Sequence, residues 1–340
     1  MRVGLPLLVP GGKLSAIAEA ARAAEAAGLS NLSCGDVQTD PMLQLTVAAG
    51  ATQHIGLMTN IVVAFARSPM VLAQQGWALQ EYSGGRLVMG LGSQVKAHIE
   101  RRFSMPWSRP AARMAEYICA MRAIWSAWDS GDRLDFRGDF YSHTLMTPMF
   151  RPTGLRPAPK VYLAAVGEKM TEVVGEVADG LLLHPFTTPK YVRDVTLPAL
   201  ERGRACSGSD RSVEVVGGSF IVTGRTAEEF AESRSAVAER IAFYGSTPAY
   251  RPVFEAHGWA DIGDELHRLS VSQDGDKWKR MGELISDEVL AEFAVVANPP
   301  DVGRAMQSRW GNVCSQYQLN TVGTTDTPFA MRVAATIRDS

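Results

Sequence analysis

The residues able to do chemistry in this chain stand singly, at the ends of short apolar runs. His184 follows Leu181-Leu182-Leu183. An imidazole at the end of a buried strand either points into the space beyond or caps the wall beside it, and its ordinary pKa lets it exchange a proton near neutrality. Gly167 precedes a stretch with helical periodicity that opens Glu168-Lys169-Met170-Thr171. Free N–H groups at a helix start attract phosphate, and glycine lets a ligand approach the backbone; the alternative is an ordinary tight turn. Gly90-Leu91-Gly92 could open a dinucleotide fingerprint, but Val95 stands where the third glycine belongs, which argues against a Rossmann site. The histidines show no metal-ligand spacing. Ser93 has no base nearby and Gly-x-Ser-x-Gly is absent, so hydrolysis is not indicated. Cysteines 34, 119, 206 and 314 are far apart, and neither a zinc site nor a disulfide framework is expected.

Apolar runs at about 3–8, 30–34, 55–63, 86–92, 160–166, 179–184, 213–222 and 313–320 are the elements that would position these residues. Several are continuously apolar, as Leu87-Val88-Met89-Gly90-Leu91 is, which suits strands buried on both faces. Helical patterns separate most of them. Over 13–28, Leu14, Ile17, Ala21 and Ala24 recur at helical spacing and Gly28 is a stop. Over 110–128, Met114, Tyr117, Ile118, Met121, Trp125 and Trp128 form a wide stripe read as core packing. A further helix follows the cap Thr226. Eight strands alternating with helices predict an α/β fold, a (β/α)8 TIM barrel forming one domain over residues 1–340. Two insertions interrupt it: about 130–159, with a hairpin near Phe136 and Tyr141, and about 245–298, too long for a βα loop. Insertions in such barrels tend to cover the C-terminal mouth, where active sites lie.

Composition narrows the partners. Apolar residues make up 46% and charged residues 21%, the profile of a soluble globular protein, and the net charge of −2 gives no footprint for nucleic acid or an anionic membrane. The N-terminal apolar run is short and broken by prolines, and no run approaches the ~18 residues of a membrane span. We therefore expect a cytoplasmic protein with a small-molecule substrate, no nucleic-acid or membrane partner, no metal, and a homodimeric assembly.

Longer stretches carry a resemblance: Gly90-Leu-Gly-Ser-Gln-Val-Lys-Ala-His-Ile-Glu-Arg-Arg-Phe103, Met105-Pro-Trp-Ser-Arg-Pro-Ala-Ala-Arg-Met114, Tyr141-Ser-His-Thr-Leu-Met-Thr-Pro148, Glu176-Val-Ala-Asp-Gly-Leu-Leu-Leu-His-Pro-Phe186 and Phe243-Tyr-Gly-Ser-Thr-Pro-Ala-Tyr-Arg-Pro252. Through them the chain, from about residue 3 to about 320, resembles the luciferase-like monooxygenase superfamily and within it an F420-dependent oxidoreductase subfamily of actinobacteria. The resemblance implies a (β/α)8 barrel closing over a cofactor, with a bulge after strand three that holds a non-proline cis peptide at Asn60-Ile61 and backs the cofactor ring. It places phosphate contacts at Gly167, Glu168, Lys169 and Met170, and ring contacts at Gly92, Ser93 and Gln94.

The sequence departs from that pattern after strand two. Where the subfamily reads tryptophan, glutamate and histidine, this chain has Ser33, Asp36 and Thr39. Thr39 cannot shuttle a proton at neutral pH, which leaves Asp36 as the nearest carboxylate, with Thr39 as a hydroxyl partner and His184 as the third candidate catalytic group. The bland alternative for Asp36 is a cap on the helix that starts near Asp40-Pro41. Glu168 replaces a proline common in the phosphate loop. The leading expectation is hydride transfer between the deazaflavin F420 and a small organic substrate. The alternatives are an FMN-dependent monooxygenase and a catalytically altered barrel serving as a binding or accessory subunit. Trp107, Phe150, Phe186, Phe243, Tyr244 and Tyr250 suggest a flat or apolar substrate, or simply pack.

Overall fold

The computed structural model describes residues 2–7, 9–154, 157–208, 211–320, 322 and 326–340. Met1 and Leu8, the latter counted in the first apolar run, lie outside them. Among the described residues, eight parallel strands form the central sheet: β1 (Arg2–Pro6), β2 (Asn31–Cys34), β3 (Gly56–Thr59), β4 (Leu87–Gly92), β5 (Lys160–Ala165), β6 (Gly180–Leu183), β7 (Glu214–Gly217) and β8 (Gln316–Gln318). They pair in chain order, and β8 returns to β1 through Arg2↔Gln316 and Gly4↔Gln318, so the ring closes. Helices follow the strands in turn: α1 (Leu14–Ala26), α2 (Pro41–Ala51), α3 (Pro69–Tyr82), α4 (Pro110–Ser130), α5 (Glu168–Val177), α6 (Leu197–Ser207), α7 (Val302–Trp310) and α8 (Thr327–Arg338). The expected (β/α)8 barrel is present.

The register shows why the runs read as they do. Val3, Leu5, Leu32, Leu57, Met89, Leu91, Val161, Leu163, Leu181 and Leu183 belong to one apolar layer packed against the helices, and this outward face supplies most of the apolar signal. The alternate residues point inward, and they are mixed. Met58, Tyr162, Leu182 and Val216 form a small apolar plug. Beside it, the Gln318 amide donates to Asn31 Oδ1 at 2.6 Å and the Ser33 hydroxyl donates to Gln318 Oε1 at 3.2 Å. Gly4 is there because a Cβ at that position would run into Asn31 and Gln318.

Two expectations need correction. The run 55–63 breaks at residues 60–61, after which Val62–Val63 pairs with Leu91 and Gly92. The run 213–222 is two strands: β7 ends at Gly217, and Phe220–Val222 leaves the ring to pair in parallel with Ala294–Val296. The insertion expected at 245–298 is present and helical, as Arg251–Glu255, Ala260–Ser270, Lys277–Glu283 and Asp287–Phe293, with a core of its own around Phe186, Phe254, Leu266, Met281 and Phe293. The hairpin expected in 130–159 pairs Phe136 with His143, the 110–128 stripe is buried as expected, and Gly28 ends the first helix at φ +71°.

At the N-terminal end of the ring, opposite the mouth, Glu214 takes Lys160 Nζ and Arg2 Nη2, each at 2.7 Å. Burial opposes the charge on this carboxyl, but the bonds from Lys160 and Arg2 outweigh it and hold its pKa at about 2, below its ordinary 4.5. A lowered folded-state pKa means that the stabilisation is complete above pH 4.5 and disappears as pH falls through about 2. Glu214 is 24% exposed and its partners are more so, which discounts the worth of the network to about 2 kcal/mol. Chemical denaturation should therefore find Glu214→Gln less stable by about that amount at pH 7 and level with the unmodified protein near pH 2. Equal stability at pH 7 would show the network to contribute nothing.

Candidate active site at the barrel mouth

The closed parallel ring puts every strand's C-terminal end at one mouth, and the candidate residues fall on an arc of five consecutive strands. Asp36 and Thr39 follow β2, Asn60 and Ile61 follow β3, Gly92, Ser93 and Gln94 end β4 and its loop, Gly167 to Met170 follow β5, and His184 follows β6.

The bulge after β3 is present and its Asn60–Ile61 peptide is cis. Asn60 is exposed and Ile61 half-buried. Ile61 lies across Gly92, where a Cβ would stand 2.7 Å from Ile61 Cδ1. Only glycine at the end of β4 leaves room for this shelf. The backbone of the β2 loop braces it from behind, with Asp36 N donating to Ile61 O at 2.9 Å and Asn60 N donating to Cys34 O at 2.7 Å.

Arg67, just before α3, organises this corner. Its Nη1 donates to Asp36 Oδ2 at 2.6 Å and its Nη2 to Asp40 Oδ2 at 2.8 Å. Asp36 Oδ2 also takes the Val63 N–H at 3.2 Å. Arg67 is 14% exposed and Asp36 7%, so this is a largely buried pair. Burial opposes the guanidinium charge, yet the bonds from Asp40 and Asp36 raise its pKa above the ordinary value. The carboxylate expected to handle protons thus holds the loop to the bulge. It does not cap α2 either: Asp40 does, accepting from Met42 N at 2.8 Å. Thr39 is also tied in place, taking the Gln44 amide at 2.9 Å and donating to Gly12 O at 3.3 Å. It joins the β1 and β2 loops and does not bond Asp36.

On the other side of the mouth, Gly167 precedes α5 without a side-chain cap, so the first N–H groups of the helix keep no local acceptor from the N-cap residue. A Cβ on Gly167 would meet nothing within 4 Å, so the space before the helix is open. Glu168 does not obstruct it: its carboxylate is drawn aside by Arg202 Nη2 at 2.7 Å, and Arg202 Nε also binds Glu172. Lys169 is exposed and Met170 half-buried. Gln94 holds the left-handed region at φ 60°, and its side chain accepts from Val95 N at 3.1 Å; Ser93 donates to Gln94 O.

His184, two residues after Leu182, continues its inward face. Its Nδ1 accepts the Phe186 N–H at 3.0 Å, and Tyr250 Oη lies 3.5 Å from Nε2. Tyr250 stacks on the imidazole at 4.8 Å and Tyr244 meets it edge-on at 4.6 Å. Burial depresses its pKa from 6.5 to about 4. The insertion therefore covers the His184 side of the arc.

Arg67, Asn31 and Gln318 carry structural weight that the one-dimensional pattern does not announce. The signal for the last two is alternation: Asn31-Leu32-Ser33 and Gln316-Tyr317-Gln318 put polar residues on one face of otherwise apolar strands. For Arg67 there is none, since its partners lie 27 and 31 positions away. Among the described residues no cluster of metal-binding side chains occurs, and no helix is long and apolar enough to cross a membrane. A separate cleft lined by Ile221, Thr223, Ser233, Asn320 and Phe329 lies beyond β7 and β8 and contains none of the residues of the arc.

Comparison with known proteins agrees with the fold. The family model described as luciferase-like monooxygenase matches residues 2–310. Over 299 residues the chain is 50% identical to an uncharacterized protein of Mycobacterium tuberculosis, covering 87% of each. It is 28% identical over 304 residues to the 5,10-methylenetetrahydromethanopterin reductase of Methanolobus tindarius, covering 86% of each. The fold matches the coenzyme F420 dependent tetrahydromethanopterin reductase from Methanopyrus kandleri with a TM-score of 0.78 at 19% identity, over 99% of this chain and 98% of that one.

The Arg67 corner makes a testable statement. Asp36→Asn leaves a buried guanidinium short of one of its two carboxylates and should lower stability by about 3 kcal/mol, whereas Asp36→Asn with Arg67→Met should recover part of that loss. A single variant as stable as the parent in a denaturant titration would remove Asp36 from any bracing role.

Proposed function

The chain belongs to the luciferase-like monooxygenase family, and from that premise we propose that it is an oxidoreductase that binds the deazaflavin coenzyme F420 across the barrel mouth and passes a hydride between it and a small organic substrate. The observation that carries this reading is the uncapped start of α5 at Gly167, open to solvent and within the arc that holds the Ile61 shelf. A helix start with free N–H groups suits a phosphate, and a flat apolar shelf suits a ring; F420 carries both. The family relative named for that coenzyme supports the choice over a flavin.

In this reading each residue of the arc has a task. Backbone N–H groups of Glu168, Lys169 and Met170 hold the phosphate, and Gly167 keeps the approach clear. Asn60, Ile61, Gly92, Ser93 and Gln94 line the ring, which when bound supplies hydride chemistry with little reactivity toward oxygen. Asp36 pairs with Arg67 and fixes the shelf, Thr39 fixes the neighbouring loop, and His184 faces the substrate. The insertion's aromatic rings exclude water from that side.

Titrating purified protein with F420 and separately with FMN, followed by cofactor fluorescence, should give at least tenfold tighter binding of F420. Tight FMN binding alone would point to a monooxygenase, and binding of neither would point to an accessory role; both outcomes contradict the proposal. Gly167→Asp gives a second readout. Gly167 has φ −78° and empty space before it, so the variant should keep its stability while its carboxylate weakens F420 binding tenfold or more. Unchanged affinity would move the phosphate away from α5.

A further inference from the structure

We propose that His184 serves the site as a fixed neutral hydrogen-bond donor, its Nε2–H offered to the oxygen of a carbonyl- or hydroxyl-bearing substrate and its tautomer set by the backbone N–H of Phe186. The substrate part rests on the oxidoreductase reading; the tautomer does not.

The geometry fixes the proton. Phe186 N donates to Nδ1 at 3.0 Å, and a backbone N–H can only donate. A ring nitrogen that accepts carries no hydrogen, so the neutral imidazole keeps its proton on Nε2. Charging the ring would put a second hydrogen on Nδ1, facing the Phe186 N–H donor to donor. The walls add to this. Tyr250 stacks on one face of the ring at 4.8 Å with 27° between planes, and Tyr244 stands edge-on at 86°. Among the described residues these two phenols are the titratable groups in ring contact with His184, and no carboxylate bonds the ring to favour an imidazolium. Burial alone lowers the imidazole to about 4, and burial with Tyr244 pushes the Tyr250 phenol up to about 12. Among the described residues the one polar neighbour of Nε2 is Tyr250 Oη at 3.5 Å, a contact long enough for a substrate oxygen to replace.

This assignment changes what the residue can do. A group neutral from pH 5 to 8 with a fixed Nε2–H is no proton shuttle; it is an electrophile that stabilises charge developing on oxygen. Reduction of a carbonyl to an alcohol takes a hydride from the reduced deazaflavin at carbon and a proton from water at oxygen. His184 supplies neither and holds the oxygen between the two events. In the oxidation direction the same N–H orients the hydroxyl whose proton leaves to water.

The test is nitrogen-15 NMR of protein labelled at histidine, with His184→Gln used to assign the resonances by their disappearance. The expected spectrum is an Nε2–H neutral tautomer that does not change between pH 5 and 8. A titration near the ordinary histidine range, or a proton on Nδ1, overturns the proposal whether or not F420 binds. Adding cyclohexanone as a probe ketone to the F420 complex should shift the Nε2–H resonance. His184→Phe should weaken the ketone's KM or kcat effect by tenfold or more, while His184→Gln, which returns an N–H near the Nε2 position, should recover most of it. An unmoved resonance, or equal loss in both variants, overturns the substrate contact. Absence of F420 binding would instead sink the oxidoreductase reading and leave the tautomer standing.

Discussion

Everything else in this molecule depends on the closure of the ring between β8 and β1. Parallel strands leave rows of backbone donors and acceptors that only a neighbouring strand satisfies, and closure gives each strand two neighbours. It also sends every strand's C-terminal end to one mouth, which lets residues as far apart in sequence as Asp36 and His184 share a surface. Closure leaves the interior little spare room. Gly4 yields space to Asn31 and Gln318, Gly90 approaches Leu182 within 2.7 Å of where a Cβ would lie, and Gly92 yields to Ile61.

The mouth divides into a braced side and an open side. On the braced side Arg67 gathers two acidic residues, and the β2 loop is bonded to the bulge after β3. The residues of β2 and its loop that depart from the expected subfamily pattern have structural partners: Ser33 bonds Gln318, Asp36 bonds Arg67 and Thr39 bonds Gly12 and Gln44. On the open side α5 starts without a cap, and next to it, under the insertion, His184 is left with one long contact at Nε2. The groups free to meet a ligand are those on which the fold makes the fewest demands.

The barrel was legible because its outward faces are almost wholly apolar and eight such runs alternate with helix period. What was hidden had long-range causes. Phe220–Val222 reads as the continuation of β7, and only its partner Ala294–Val296, some seventy residues on, shows that it belongs to the insertion. Residues 245–298 form short helices around shared aromatic residues, too short for periodicity to declare each one. The resemblance located the bulge at Asn60–Ile61 and gave the positions of the arc. It could not show that Asp36 was committed to Arg67, because an ion pair leaves no mark in a single sequence. The polar interior was visible in principle, as alternation within β2 and β8.

The central claim is that the arc from the Ile61 shelf to the start of α5 is one ligand surface, and amide hydrogen exchange on adding F420 tests it most directly. The account predicts slowed exchange at residues 92–94 and 168–170 together, with the Glu214 end of the barrel unchanged. Protection confined to the cleft near Thr223 and Asn320, with the arc exchanging as before, would contradict it.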